Sequence, residues 1–335
     1  MKRIVFTISF ILVVFLSINS TTFAQEGSIF GTKNDLTVSI IPSIPGPYEN
    51  VALDLSTFMI NVDSADISWS VDGVVVKHGI GAKSLDIKTK DVGVATVVDV
   101  SIMPVGKYLI QKKIRIVPAS MDLLWEATDS FVPPFYKGKA LPTEEASLKF
   151  VAIPNIKVGT NQITKQNDVV YSWSNAYSYD PTSSGFAKDT YSLKMNIVDQ
   201  TEHIDVVAKS KDGAFSSSGS ADTSIYDPKI IFYRASPLYG PQFTTAMNSD
   251  DYTVTNKDIG VFAEPYYMSP KDVLADTVDY TWTLNGNPVP KQTPKNVLVL
   301  HRNSNQQGDA VMELTINDTK KLLQEISAVL NLKMR

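Results

Sequence analysis

Residues Ile67–Gly73 read ISWSVDG, and residues Tyr280–Gly286 read YTWTLNG. In both, an apolar residue, a small hydroxyl residue, Trp, a second small hydroxyl residue and an apolar residue follow one another. This alternation has period two, which is the pattern of a strand with one buried face. Asp-Gly and Asn-Gly then close each stretch, and these pairs tolerate the positive φ of a tight hairpin turn. A partial third copy, Tyr171-Ser172-Trp173-Ser174, has the strand and then departs into NAYSYDPTSSG, which reads as a longer loop. The spacings Trp69 to Trp173 and Trp173 to Trp282 are 104 and 109 residues. One β-sandwich domain has about that length, and a solenoid repeat is far shorter.

The flanks carry the same reading. Alternating strands precede each Trp: Val51, Leu53 and Leu55, then Leu148, Phe150 and Ala152, then Ile259, Val261 and Ala263. Further alternating strands follow it, among them Val98, Val100 and Ile102, then Ile204, Val206 and Ala208, then Met312, Leu314 and Ile316. GKYLIQKKIRIV (106–117) matches TKKLLQEISAVL (319–330), so the latter reads as a closing strand despite its helix formers. LLWEA (123–127) matches IFYRA (231–235), and each is followed by a Pro- and aromatic-rich loop. The expected fold is all-β: three sandwiches at 34–118, 119–227 and 228–335, with Trp69, Trp173 and Trp282 as core residues. The joints, VPAS (117–120) and YDPK (226–229), are short and carry Pro, which suits a stiff array better than free tumbling.

The pattern x-[S/T]-Trp-[S/T]-x-[D/N]-Gly at Trp69 and Trp282 resembles bacterial secreted tandem immunoglobulin-like proteins. The Tyr-x-Trp strand at Tyr171 and Trp173 is similar to PKD-type domains. The resemblance spans about 300 of the 335 residues. It implies export, surface display, and adhesion or spacing without catalysis.

The first 24 residues stand apart. Lys2 and Arg3 precede an apolar run from Ile4 to Ile18, and Thr22 and Ala24 fit a signal-peptidase site. Cleavage after Ala24 is expected; the alternative is an uncleaved membrane anchor, for which the run is short. No later segment is apolar enough to span, so the mature chain is expected to be exported, without a transmembrane span. The 31 basic and 35 acidic residues give a formal charge of −4, and losing Lys2 and Arg3 makes it −6. Such a chain carries no basic footprint for nucleic acid. With no cysteine, there are no disulfides, and each domain must stand on its own hydrophobic core.

No catalytic motif is present: no G-x-S-x-G elbow, phosphate-binding loop or dinucleotide fingerprint. His78, His203 and His301 fall in different domains, and His203, out of phase with Ile204, Val206 and Ala208, is expected at the surface. No cofactor is expected: without cysteine a zinc site is not expected either, and the acidic loops Asp63–Asp66 and Asp250-Asp251 are the places that could hold Ca²⁺ between domains. Ser216–Ser220 reads as a loop or a polar edge. The candidate ligand-binding residues are Tyr177 and Tyr179 in NAYSYDPTSSG, and Tyr266 and Tyr267 in EPYYMSP. Exposed Tyr can stack on sugars or anchor a protein partner. Phe135 and Tyr136 are expected to pack between domains. Two functions follow: a non-enzymatic spacer, adhesin or assembly subunit working through protein contacts, and an array of carbohydrate-binding modules using the Tyr loops.

Overall fold

A computed structural model describes residues 36–58, 60–158, 161–163, 168–196, 200–213, 215–247, 252–302 and 307–335. The leader and Asp250-Asp251 therefore lie outside the described residues. Among the described residues every element is a β-strand, and the strands form three tandem β-sandwiches of the immunoglobulin-like type.

The first sandwich holds β1 (Leu36–Ile41), β2 (Asn50–Thr57), β3 (Asp66–Val71), β4 (Val74–Ile80), β5 (Ser84–Lys88), β6 (Thr96–Met103) and β7 (Ile110–Ile116). Its sheets run β1-β2-β5 and β4-β3-β6-β7. The second holds β8 (Ser120–Ala127), β9 (Ser147–Val158), β10 (Asn161–Ile163), β11 (Val169–Asn175), β12 (Ser178–Phe186), β13 (Thr190–Lys194), β14 (Thr201–Ser210) and β15 (Ser216–Ser224). One sheet runs β12-β11-β14-β15; in the other, β9 takes β8 on one side and β10 and β13 on the other. The Ser-rich stretch is thus an edge strand. The third holds β16 (Lys229–Ser236), β17 (Gly240–Ala246), β18 (Tyr252–Val254), β19 (Asp258–Tyr266), β20 (Val278–Leu284), β21 (Asn287–Pro288), β22 (Val297–His301), β23 (Gly308–Asp318) and β24 (Glu325–Met334). Its sheets run β17-β16-β19-β22 and β18-β24-β23-β20-β21.

One device recurs at the centre of each sandwich. Trp69, Trp173 and Trp282 are buried. They lie opposite Val100, Val206 and Leu314 on the next strand. Each indole N–H donates to a backbone carbonyl in the loop that crosses to the facing sheet: Ala82 at 2.7 Å, Lys188 at 2.8 Å and Lys295 at 2.9 Å. Burying an indole without that bond would leave a polar group unpaired at a cost of about 1–3 kcal/mol. In the middle sandwich, the two sheets approach so closely that a Cβ on Gly219 would come within 2.7 Å of Met121 Cγ.

Two sequence matches are displaced. Lys112 lies opposite Val100, and Ala328 opposite Leu314, so the closing strands correspond three residues away from the sequence match. In LLWEA, Leu123 and Trp125 pack on their core, whereas in IFYRA it is Phe232, with Ile230 just before the match, that packs on its core. That match is one residue out and superposes an inner face on an outer one. The stretch NAYSYDPTSSG also departs from its sequence reading. It is no long loop: β11 and β12 are joined by the two-residue turn Ala176-Tyr177, and the rest of the stretch is strand.

Candidate functional site

The same tight turn closes the hairpin after each Trp strand. Asp72-Gly73 has φ of 49° and 85°, Asn285-Gly286 has 51° and 74°, and Ala176-Tyr177 has 46° and 65°. In the outer two, the side chain helps: the Val97 N–H donates to Asp72 Oδ1 at 3.1 Å, and the Val311 N–H to Asn285 Oδ1 at 2.8 Å. In the middle hairpin, Ala176 has no such acceptor, and Tyr177 stands where glycine stands in the others. A non-glycine residue there costs about 1–2 kcal/mol.

Tyr177 is 82% exposed, and its ring is nevertheless held. It lies 4.9 Å from the His203 ring at 33°. His203 Nδ1 is 2.5 Å from Asp222 Oδ1, and its Nε2 is 3.3 Å from Asp205 Oδ2. The Asp222 hydrogen bond, above all, raises the His203 pKa; desolvation opposes it, and the Asp205 carboxylate adds to the rise. Tyr179, also exposed, lies opposite Ser174, which lies opposite Asp205, which lies opposite Ser220. Ile204 and Val206 point to the core, so His203 and Asp205 belong to the outer face. That face therefore carries Tyr179, Ser174, Asp205 and Ser220 in one row, with Tyr177, His203 and Asp222 in the row beside it. A depression of about 460 Å³ lies under the same hairpin, lined by Tyr179, Asp180, Pro181, Asn196 and Glu202 among others.

The second pair of candidates is elsewhere and is not exposed as a pair. Tyr266, expected in an open loop, is only 8% exposed, because β19 runs on to include it. Its hydroxyl is 3.2 Å from that of Tyr233, and burial raises its pKa. Tyr267 meets Tyr136 hydroxyl to hydroxyl at 2.7 Å; burial, followed by that bond, lifts the Tyr267 hydroxyl to about 12. Phe135 packs on Phe243 with ring centroids 4.5 Å apart. These rings form part of the joint between the second and third sandwiches rather than an open binding surface.

That joint is extensive. The Phe131 N–H donates to the Met268 carbonyl at 2.8 Å, the Tyr267 N–H returns to the Phe131 carbonyl at 2.7 Å, and Phe131 packs on the third core. Lys321 Nζ donates to Asp129 Oδ2 at 2.8 Å, to the Glu145 carbonyl at 3.3 Å and to Ser269 Oγ. The buried Gln324 donates to Thr143 Oγ1 at 3.0 Å and to the Glu144 carbonyl, and accepts from the Ser269 N–H at 3.0 Å. The first joint is smaller. Ala119, Ile156 and Phe215 form a cluster with Val117, and Arg115 lies over the Phe215 ring at 5.6 Å. The Gly93 N–H donates to the Pro118 carbonyl at 2.9 Å. Gly93 has φ of 78°, and a Cβ there would lie 2.6 Å from Lys157 Cβ. Sequence reasoning missed Lys321, Gln324 and Thr143, since partners some 180 residues apart leave no local signal.

Among the described residues, no group of three or more His, Asp or Glu side chains is placed to hold a metal ion, and no helix is long and apolar enough to cross a membrane. Asp63 is paired with Lys83 at 2.7 Å.

No protein-family model and no curated protein matches the chain. Solved structures of tandem β-sandwich proteins do. The fibronectin(III)-like modules of Clostridium thermocellum CbhA are similar at 14% identity, over 56% of this chain and 94% of theirs, with a TM-score of 0.27. The three N-terminal domains of the bacteriophage RB49 outer capsid protein Hoc are similar at 11% identity, over 90% and 99%, with a TM-score of 0.25. Bacteroides ovatus SGBP-B, solved with a mixed-linkage heptasaccharide, is similar at 12% identity, over 89% and 70%, with a TM-score of 0.22. No site, ligand or role is carried over from them.

Proposed function

We propose that the chain is an exported, non-enzymatic array of β-sandwiches that serves as a cell-surface spacer, adhesin or assembly subunit. It acts through contacts with partner proteins and needs no cofactor. The observation that carries this reading is the pair of built joints. At the second joint, Lys321, Gln324 and Phe131 tie successive domains by ion pair, hydrogen bonds and apolar packing. Domains held in this way keep a fixed spacing, which a spacer or an assembly subunit requires and flexible linkers do not provide. A second reading, an array of carbohydrate-binding modules, is favoured at one place, the middle hairpin, where Tyr177 replaces the glycine of its two counterparts.

Small-angle scattering on residues 25–335 tests the first reading. A stiff array gives a radius of gyration well above the roughly 20 Å of a compact chain of this length, unchanged on adding calcium. A compact particle would overturn the spacer, and a calcium-dependent profile would overturn the absence of a cofactor.

A further inference from the structure

We infer that the outer face of the β12-β11-β14-β15 sheet is a binding face for a neutral oligosaccharide, with Tyr177 and Tyr179 as its stacking platforms. The inference rests on the carbohydrate reading, which it narrows to one face, one set of residues and one class of sugar.

Four observations point the same way. The first is the turn itself. Three homologous hairpins need positive φ at the fourth residue after Trp, two supply glycine, and the middle one supplies Tyr177 at φ 65°. A turn selected for stability alone would not place an aromatic residue there. The second is the ring's support. Tyr177 is open over most of its surface yet rests on His203, which Asp222 and Asp205 fix from both nitrogens. A platform that is already ordered loses little entropy on binding. The third is the row beside it. Tyr179, Ser174, Asp205 and Ser220 follow one another across four strands, which spans about 14 Å at the usual strand spacing. Rings at one end and hydroxyl and carboxylate groups along the rest suit a chain of sugars: apolar faces stack on Tyr, and hydroxyls donate to the carboxylates and exchange bonds with the serines. The fourth is charge. Asp205 and Asp222 lie on the face, one at each nitrogen of the His203 ring, and neither row holds a lysine or arginine to pair with an anion. Such a surface repels uronates, sialylated chains and phosphorylated sugars.

The test is isothermal titration calorimetry on residues 25–335 with cellohexaose, xylohexaose and mannohexaose as neutral probes and hexagalacturonate as the anionic one. At least one neutral probe is expected to bind, and hexagalacturonate is not. Tyr177→Gly and Tyr179→Ala should each weaken that binding at least tenfold, while Tyr177→Phe keeps it within about threefold. Tyr177→Gly separates binding from folding. It should raise the melting temperature by a few degrees, since glycine relieves the turn, even as it removes the platform. No heat from any neutral probe overturns the inference. So does equal binding of the anionic probe, or binding that survives Tyr177→Gly. The scattering profile does not depend on this face, so a failure here leaves the spacer reading standing, and a compact particle would leave this face untouched.

Discussion

Glu264 is 5% exposed on β19, and burial pushes its carboxyl up to about 7. A carboxyl whose folded pKa lies above its unfolded one binds a proton more tightly when folded. Its favourable contribution is complete below about pH 4.5 and is lost as the pH rises through 7. The loss amounts to about 3 kcal/mol at one unit per 1.36 kcal/mol. Glu264→Gln is therefore expected to leave stability unchanged near pH 4 and to raise it by up to about 3 kcal/mol at pH 8, as measured by urea unfolding at both. If Gln lowers stability at pH 8, the carboxylate is engaged as an anion and the burial account fails. Legibility at this scale was uneven. The three Trp were readable because each sits in strict alternation with small hydroxyl residues. The burial of Tyr266 was not. Its strand also packs aromatic rings on its outer side, where Phe243 meets Tyr233 and Phe262, and alternation reports only the inner side.

At the scale of elements, the hairpins show what period two can and cannot give. Asp72-Gly73 and Asn285-Gly286 announce their turns because their chemistry is that of positive φ. Ala176-Tyr177 makes the same turn without that chemistry, so the sequence read as a loop there. The closing strands erred in register for a related reason. A shift of three residues exchanges the two faces of a strand, and both segments are amphipathic enough to match either way. The turn side chain has a measurable effect. Asn285→Ala loses the acceptor for the Val311 N–H and places Ala at φ 51°. Together these should cost about 1–2 kcal/mol of third-domain stability by urea unfolding. Ala176→Asn, supplying the missing turn residue, should shift the middle domain the other way. A loss below about 0.5 kcal/mol for Asn285→Ala would mean that strand pairing alone sets the hairpin.

For the whole molecule, stiffness depends on groups that a reading of separate domains does not reveal. The Pro-rich joints and the aromatic loop of Phe135 and Tyr136 were visible in the sequence, whereas Lys321 and Gln324 were absorbed into the last strand. They actually lie in the turn before β24, where their side chains reach the second domain. Lys321 matters most, because of what it leaves behind. Burial pushes the Asp129 carboxyl up, but hydrogen bonds from Lys321 and the Ser147 amide outweigh it and hold the pKa below the usual range. A lowered carboxyl stabilises above its unfolded pKa, and that stabilisation is lost as the pH falls through the folded value. Acid should therefore loosen the second joint before it unfolds the sandwiches. Lys321→Met should do the same at neutral pH by leaving a half-buried carboxylate without its cation, at a cost of about 1–3 kcal/mol. The expected readouts are faster proteolysis at Tyr226–Lys229, a broadened scattering profile, and recovery of both in the double variant Lys321→Met with Asp129→Asn. If Lys321→Met cleaves and scatters as the native chain does, the ion pair is dispensable. Phe131, the paired backbone at Met268, Gln324 and the Tyr136–Tyr267 contact then hold the joint without it.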